Sequence, residues 1–142
     1  MLCKDLMKTE LQYVAREDTA GAAARRMRDE EVGFLPVCDQ AGGVIGTLTD
    51  RDIAIRLVAE DLSPETPVAE IMTAEIVACD PNDSIEEAQS LMGHAKVSRI
   101  LCIADGSDRL VGVISLSDIA QLEQEGRAAQ TLREVSAREA RI

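Results

Sequence analysis

The sequence predicts an α+β fold: two β-α-β-β-α units packed about a pseudo-twofold axis, followed by a helical tail. The first observation behind this is an internal match. At an offset of 65, Met7 falls on Met72, Glu10 on Glu75, Asp18 on Asp83, Ala23 on Ala88, Met27 on Met92 and Val32 on Val97. Past residue 40 the offset becomes 66, so that Gly46 falls on Gly112, Asp52 on Asp118, Ile53 on Ile119 and Ala54 on Ala120. The second observation is where the extra residue sits, between Gln40-Ala41-Gly42-Gly43 in one copy and Asp105-Gly106-Ser107-Asp108-Arg109 in the other. Both stretches have the Gly/Asp chemistry of a hairpin turn, and a structural repeat tolerates a length change there. The third is size. A copy of about 55 residues would not bury enough surface alone, so the two are expected to fold face to face.

Each unit opens on a short extended stretch, Glu10 to Val14 or Ile76 to Cys79. Asp18-Thr19 and Asp83-Ser84 follow, whose carboxylate or hydroxyl can cap a helix. The helices behind them set Ala20, Ala23, Ala24 and Met27, or Ile85, Ala88, Leu91 and Met92, at three- and four-residue spacing, which makes one face for burial. Phe34 to Cys38 and Arg99 to Ile103, then Val44 to Leu48 and Leu110 to Ile114 across the turn, are short apolar runs suited to strands covered by helices. A second helix closes each unit, starting near Asp50 and near Leu116 and reaching to Glu60 and Glu125.

The domain reading is therefore a first repeat at 1–60, a Pro-containing polar linker at 61–67, a second repeat at 68–125 and a helical tail at 126–142. From Glu123 onward there are four Glu and four Arg, with Leu132, Val135 and Ala128 or Ala129 at helical intervals. This describes a surface helix docked on its own domain or on a second subunit.

Charge narrows the function. Across 142 residues, 26 Asp plus Glu stand against 15 Lys plus Arg, a formal charge of −11. Binding a nucleic acid backbone needs a basic stripe to displace counterions, so nucleic acid is excluded as a partner, and anionic membrane surfaces with it. No apolar run approaches the roughly 18 residues of a spanning helix, and the N-terminus mixes charge where a signal peptide would be apolar, which points to the cytoplasm.

Phe34 and Tyr13 are the only aromatics, so aliphatic side chains must build the core. Cys3, Cys38, Cys79 and Cys102 are far apart, without the Cys-x-x-Cys spacing of zinc or thiol-redox motifs, and Cys38 and Cys102 fall in apolar strand-like runs where a thiol is a small hydrophobe. A cysteine-based metal or redox sensor, with His94 as a further ligand, stays as a rival reading. His94 is the only histidine, beside a helix end, and no nucleophile–base pair is apparent; no enzyme is expected. Lys4, Lys8 and Arg51 offer only scattered positive charge.

Two segments stand out, Gly46-Thr47-Leu48-Thr49-Asp50-Arg51-Asp52 and Gly112-Val113-Ile114-Ser115-Leu116-Ser117-Asp118. In each a strand ends at a hydroxyl and an acid follows three residues into a helix. Thr49-x-x-Asp52 and Ser115-x-x-Asp118 can be capping boxes, which satisfy helix-terminal amides and bind nothing. The same geometry also describes half a nucleotide site: helix-terminal N–H groups favour phosphate, and the acid can accept hydrogen bonds from a ribose. P-loop and dinucleotide glycine fingerprints are absent.

The tandem pattern, with Phe34-Leu35-Pro36-Val37 in one copy and the Gly-x-x-Thr/Ser-x-x-Asp ending in both, resembles a pair of CBS domains, a Bateman module, over residues 1 to 125. The stretch Gly112 to Ile119 is similar to the nucleotide-binding segment of the γ subunits of AMP-activated protein kinase, and Thr49 to Ile53 to that of stand-alone bacterial members. The resemblance implies a regulatory module that binds AMP, ADP, ATP, S-adenosylmethionine or NADH in two clefts between the repeats, with no tightly bound cofactor. It implies one cleft with Asp52 for the ribose, Thr49 for phosphate, Arg99 from the other repeat, and Val77 and Ala78 at the base. The other would use Asp118, Ser115 and Ser117, with Thr9 and Gln12 near the base and Phe34 where the first has Arg99. A homodimer and an unidentified regulated protein are the implied partners; a ligand-free dimeric scaffold is the alternative.

Overall fold

The computed structural model describes residues 1–122 and 127–139. Each repeat contributes one three-stranded sheet. In the first, β1 (Val14–Ala15) runs parallel to β2 (Phe34–Cys38), which pairs antiparallel with β3 (Val44–Thr49). In the second, β4 (Ala78–Cys79), β5 (Arg99–Ile103) and β6 (Leu110–Ser115) repeat that order and sense. The first strand of each sheet is only two residues long, shorter than the extended stretches of the sequence, because parallel pairing is confined to Val14–Val37 and Ala15–Cys38, or Ala78–Leu101 and Cys79–Cys102.

The helices start where the sequence places caps. The Thr19 hydroxyl accepts from the Ala22 amide at 3.1 Å ahead of α2 (Ala20–Glu30), and the Ser84 hydroxyl accepts from the Glu87 amide at 3.1 Å ahead of α4 (Ile85–Ala95). Both end on a left-handed residue, Glu31 at φ 55° and Lys96 at φ 58°, positions equivalent under the repeat. On α2 the buried face is Ala20, Ala23 and Met27. On α4 it is Ile85, Ala88, Gln89, Met92 and Gly93, while Leu91 is exposed. The reason is angular: residues at 85, 88, 89 and 92 share a stripe that 91 misses, and a reading confined to apolar residues passes over Gln89.

Behind β3, α3 (Asp50–Asp52) runs into a π-helix over Ile53–Val58. The Ala59 amide donates to the Ala54 carbonyl and Leu62 to Leu57, five residues back in each case, and the wider turn buries Leu57 while Ile55 and Val58 stay exposed. In the second copy the helix is an ordinary α5 (Leu116–Leu122); its expected end at Glu125 lies outside the described residues.

The chain forms two compact units that differ from the two sequence repeats at their margins. One is Gln12–Ile76, and the other combines Met1–Leu11 with the chain from Val77 on. The stretch ahead of each repeat thus packs with the other repeat. In the second-repeat unit, Lys8 and Val113 exchange backbone hydrogen bonds, and α1 (Cys3–Leu6) is held by the Cys3 amide on the Asp83 carbonyl at 2.8 Å. In the first-repeat unit Thr73 and Thr47 make the same exchange, and Val68 donates to the Asp18 carbonyl at 2.8 Å. Glycine permits this approach, since a Cβ on Gly46 would lie 2.7 Å from the Thr73 carbonyl oxygen, and one on Gly112 would lie 2.7 Å from Met7 Cγ.

The tail helix α6 (Arg127–Glu139) packs on α4 and α5 within the second-repeat unit. Val135 joins that unit's core and Thr131 is buried, whereas Leu132 is exposed. The side chains of Ala128 and Ala129 lie outside the described residues. Leu35, Leu48 and Ile71 centre one core, and Met92, Ile100, Ile114 and Ile119 the other.

All four cysteines are buried. The fold gathers three of them: Cys79 Sγ lies 3.6 Å from Cys3 Sγ and 3.7 Å from Cys102 Sγ. Burial pushes the Cys3 thiol up to about 12, and Cys79 is raised by its contact with Cys102 and by burial. Cys38 is raised by burial as well. Buried in this way, the four thiols take the place of small apolar side chains in the core. At pH 8 a disulfide reagent is expected to modify none of the four faster than the protein unfolds, while denatured chain reacts at once; one fast-reacting thiol in the native protein would contradict this. The unfolded thiol titrates near roughly 8.5. Because folded Cys3 ionises later, its contribution to stability is complete below that pH and is lost as pH rises toward about 12. The alkaline fall in the urea midpoint should be shallower in Cys3→Ala.

Candidate functional site

Both hydroxyl–acid segments fold as complete capping boxes. At the end of β3 the Thr49 hydroxyl accepts from the Asp52 amide at 3.1 Å, and Asp52 Oδ2 accepts from the Thr49 amide at 3.0 Å. At the end of β6 the Ser115 hydroxyl accepts from the Asp118 amide at 3.2 Å, and Asp118 Oδ2 accepts from the Ser115 amide at 3.2 Å. Each box satisfies two backbone donors and pins one carboxylate oxygen.

The second oxygen of each acid meets a side chain from the stretch ahead of the opposite repeat. The Thr73 hydroxyl donates toward Asp52 Oδ1 and Oδ2 at 3.2 and 3.3 Å, and Arg56 Nε stands 3.8 Å from Oδ1. Lys8 Nζ stands 3.5 Å from Asp118 Oδ1. Lys8 and Thr73 are equivalent positions at the offset of 65, each following an aligned methionine, so the partner of each acid was present in the repeat alignment. Lys8 is 73% exposed and can leave Asp118 at little cost. Asp52 is 9% exposed and more deeply held.

Burial pushes the Asp118 pKa upward, but hydrogen bonds from Ser115 and the Lys8 ammonium outweigh it and hold the carboxyl below the usual carboxylate range. The carboxylate is therefore the stable form at neutral pH, ready to accept hydrogen bonds.

The remaining expected residues divide between the units. Ser115, Ser117, Asp118 and Thr9 share the second-repeat unit, where the Ser115 and Ser117 hydroxyls are 2.9 Å apart and Thr9 is exposed beside Lys8. Val77, Ala78 and Arg99 belong to the same unit; the Val77 carbonyl accepts from the Leu101 amide at 3.1 Å, and Arg99 pairs across the ladder with Ser115. Thr49, Asp52, Phe34 and Gln12 lie in the first-repeat unit. There Phe34 pairs across the ladder with Thr49, and Gln12 Oε1 accepts from an Arg26 guanidinium N–H at 3.5 Å. His94 is exposed near the end of α4, as a solvated helix-end residue. Among the described residues no group of three or more His, Cys, Asp or Glu is arranged to hold a metal ion, and no helix is long and apolar enough to cross a membrane.

Comparison with known proteins finds the family model described as CBS domain twice, at residues 3–59 and 68–125. The chain is 40% identical over 126 residues to the CBS domain-containing protein YhcV of Bacillus subtilis, covering 89% of this chain and 88% of that one. The crystal structure of Hypoxic Response Protein I, solved with two coordinated zinc ions, is similar at 35% identity and a TM-score of 0.77, over 85% of this chain and 98% of that one. The CBS domain pair of protein MJ0100, solved in complex with 5-methylthioadenosine and S-adenosyl-L-methionine, shares the fold at 23% identity and a TM-score of 0.76, over 86% of this chain and 94% of that one.

The boxes carry stability on their own account. Thr49→Ala and Ser115→Ala should each lower unfolding free energy by about 1 kcal/mol in urea titrations. The contribution of Asp118 is present above the unfolded carboxyl pKa near roughly 4 and is lost as pH falls through its lowered folded value. Asp118→Asn should flatten that acid limb; an unchanged limb would show that Ser115 and Lys8 do not act on the carboxylate.

Proposed function

The chain belongs to the CBS-domain family, and from that membership we propose that it is a non-catalytic regulatory module that binds an adenosyl ligand of the AMP, ADP, ATP, S-adenosylmethionine or NADH class. The observation that carries the reading is the twin hydroxyl–acid box. Each acid gives one oxygen to its own helix start and has the other on a side-chain partner, Thr73 or Lys8, that a ribose hydroxyl can replace. Solved CBS pairs of the same fold hold such ligands, so the fold can accommodate them.

In this proposal Asp52 takes the ribose and Thr49 the phosphate in one site, with Arg99 as the phosphate cation and Val77 and Ala78 against the base. Asp118, Ser115 and Ser117 serve the second, with Thr9, Gln12 and Phe34 around the base. The sites are unequal. A guanidinium forks onto phosphate oxygens, whereas the Phe34 ring can only contact the base. Ligand acts by stabilising one arrangement of the module, limited by its differential affinity for that arrangement. We place the protein in the cytoplasm as a homodimer, with an unidentified regulated protein as its partner.

The second reading is an interaction scaffold in which the two boxes serve only as helix caps. A thermal-shift series across adenosine derivatives separates the two, because a ligand at a hundred times its Kd adds about 2.7 kcal/mol of stability. Millimolar AMP, ATP and S-adenosylmethionine all leaving the melting point unmoved would establish the scaffold. By calorimetry, Asp52→Ala should weaken AMP roughly tenfold or more, the loss expected for a hydrogen bond to a charged group, and Asp118→Ala less. Equal losses would remove the asymmetry.

A further inference from the structure

Three of the buried cysteines meet at one point of the second-repeat unit, although they come from three elements: Cys3 from α1, Cys79 from β4 and Cys102 from β5. Cys79 stands between the others, its Sγ 3.6 Å from that of Cys3 and 3.7 Å from that of Cys102. The repeat supplies a control for this arrangement. At the offset of 65, Cys3 falls on Val68, Cys79 on Val14 and Cys102 on Val37. All three valines are buried in the core of the first-repeat unit. Val14 pairs with Val37 as Cys79 pairs with Cys102, and the Val68 amide donates to the Asp18 carbonyl as the Cys3 amide donates to that of Asp83. An aliphatic side chain therefore satisfies the packing at all three points. Burial accounts for a small side chain at each, but not for sulfur at all three together.

We propose that the three thiols are a site of disulfide formation centred on Cys79, closing onto Cys3 in preference to Cys102. Two arguments choose Cys3. Cys79 and Cys102 are held opposite one another by the parallel ladder, where strands lie about 4.8 Å apart, whereas the Cβ atoms of a disulfide lie about 3.8 Å apart. Cys3 stands on a four-residue element hung on a few backbone hydrogen bonds, which can follow the bond as it closes. A bond from Cys3 to Cys79 also spans 76 residues of chain, against 23 from Cys79 to Cys102, and the longer loop takes more entropy from the unfolded chain. Cys102 is the second neighbour, so a mixed disulfide on Cys79 meets a resolving thiol on either side.

The oxidant is a low-molecular-weight disulfide such as oxidised glutathione. The Cys79 thiolate attacks one of its sulfurs and one glutathione leaves as thiolate; the Cys3 thiolate then attacks the Cys79 sulfur and the second glutathione leaves. Two protein S–H bonds and one glutathione S–S bond become one protein S–S bond and two glutathione S–H bonds, so hydrogens and electrons balance. The thiols are buried in the folded chain, so the exchange begins on the open chain and the bond is completed as it folds. Its effect is mechanical: α1 is fastened to β4, and with it the segment in which Lys8 pairs with Val113.

In the test the full reduced chain, unfolded in urea, is refolded in a mixture of reduced and oxidised glutathione, its free thiols are alkylated, and its peptides are mapped by mass spectrometry. A Cys3–Cys79 link is expected, with Cys38 and Cys102 alkylated. In Cys79→Val the other three cysteines should stay reduced, and in Cys3→Val the link should move to Cys79–Cys102. Valine is the residue that the first copy carries at these positions, so both variants should fold, which melting curves check. Amide exchange at Cys3 and Lys8 should slow roughly tenfold in the oxidised protein relative to the reduced one. A chain that refolds fully reduced, a link through Cys38, or the same degree of oxidation in Cys79→Val would each overturn the assignment. The adenosyl sites take no part in the outcome, so loss of AMP binding in Asp52→Ala or Asp118→Ala leaves it unaffected.

Discussion

Thr47 and Thr73 exchange amide and carbonyl hydrogen bonds at 2.9 and 2.8 Å, and Lys8 and Val113 do the same at 2.9 and 3.1 Å. This exchange assigns the stretch ahead of each repeat to the opposite unit. It requires a backbone without a side chain on the neighbouring strand, which Gly46 and Gly112 provide. Once Thr73 and Lys8 are fixed by their backbones, their side chains come to the outer oxygens of Asp52 and Asp118. The composition of each acid's surroundings is therefore set by a sheet-edge pairing and not by the helix that carries the acid.

Structure and site overlap in the boxes. A capping hydroxyl and acid would be expected at these helix starts in a protein that binds nothing, since terminal amides need partners in either case. The acids differ from simple caps in holding their second oxygen near a side chain in place of open water. Such an oxygen has been partly stripped of solvent already, so a ligand hydroxyl that displaces Thr73 or Lys8 exchanges one hydrogen bond for another without paying the whole desolvation of a carboxylate.

The sequence made the local elements legible and the long-range ones not. Phe34–Cys38 and Arg99–Ile103 are strands at the expected bounds, and Thr19 and Ser84 cap the expected helices, because apolar runs and capping residues act within a few positions. The segment exchange was hidden: a backbone pair at a single position leaves no periodicity to read. The gathering of Cys3, Cys79 and Cys102 was hidden for a related reason, since α1 and two strands bring together thiols that sequence spacing separates. Gln89 escaped because burial was read from apolar character, and Leu91 was given the place that helical geometry assigns to Gln89.

That exception shows how a repeat can serve as its own control. The first copy builds the same sheet and helix with Ala24 and Arg28, so the fold does not need an amide or a glycine at those points. In the second copy burying an amide and setting a glycine within a helix both cost stability, the glycine about 0.5–1 kcal/mol. Both costs fall within two turns of one helix, on the face that α6 covers. The polar choice is thus a property of the α4–α6 junction, present only where the tail helix exists to complete it.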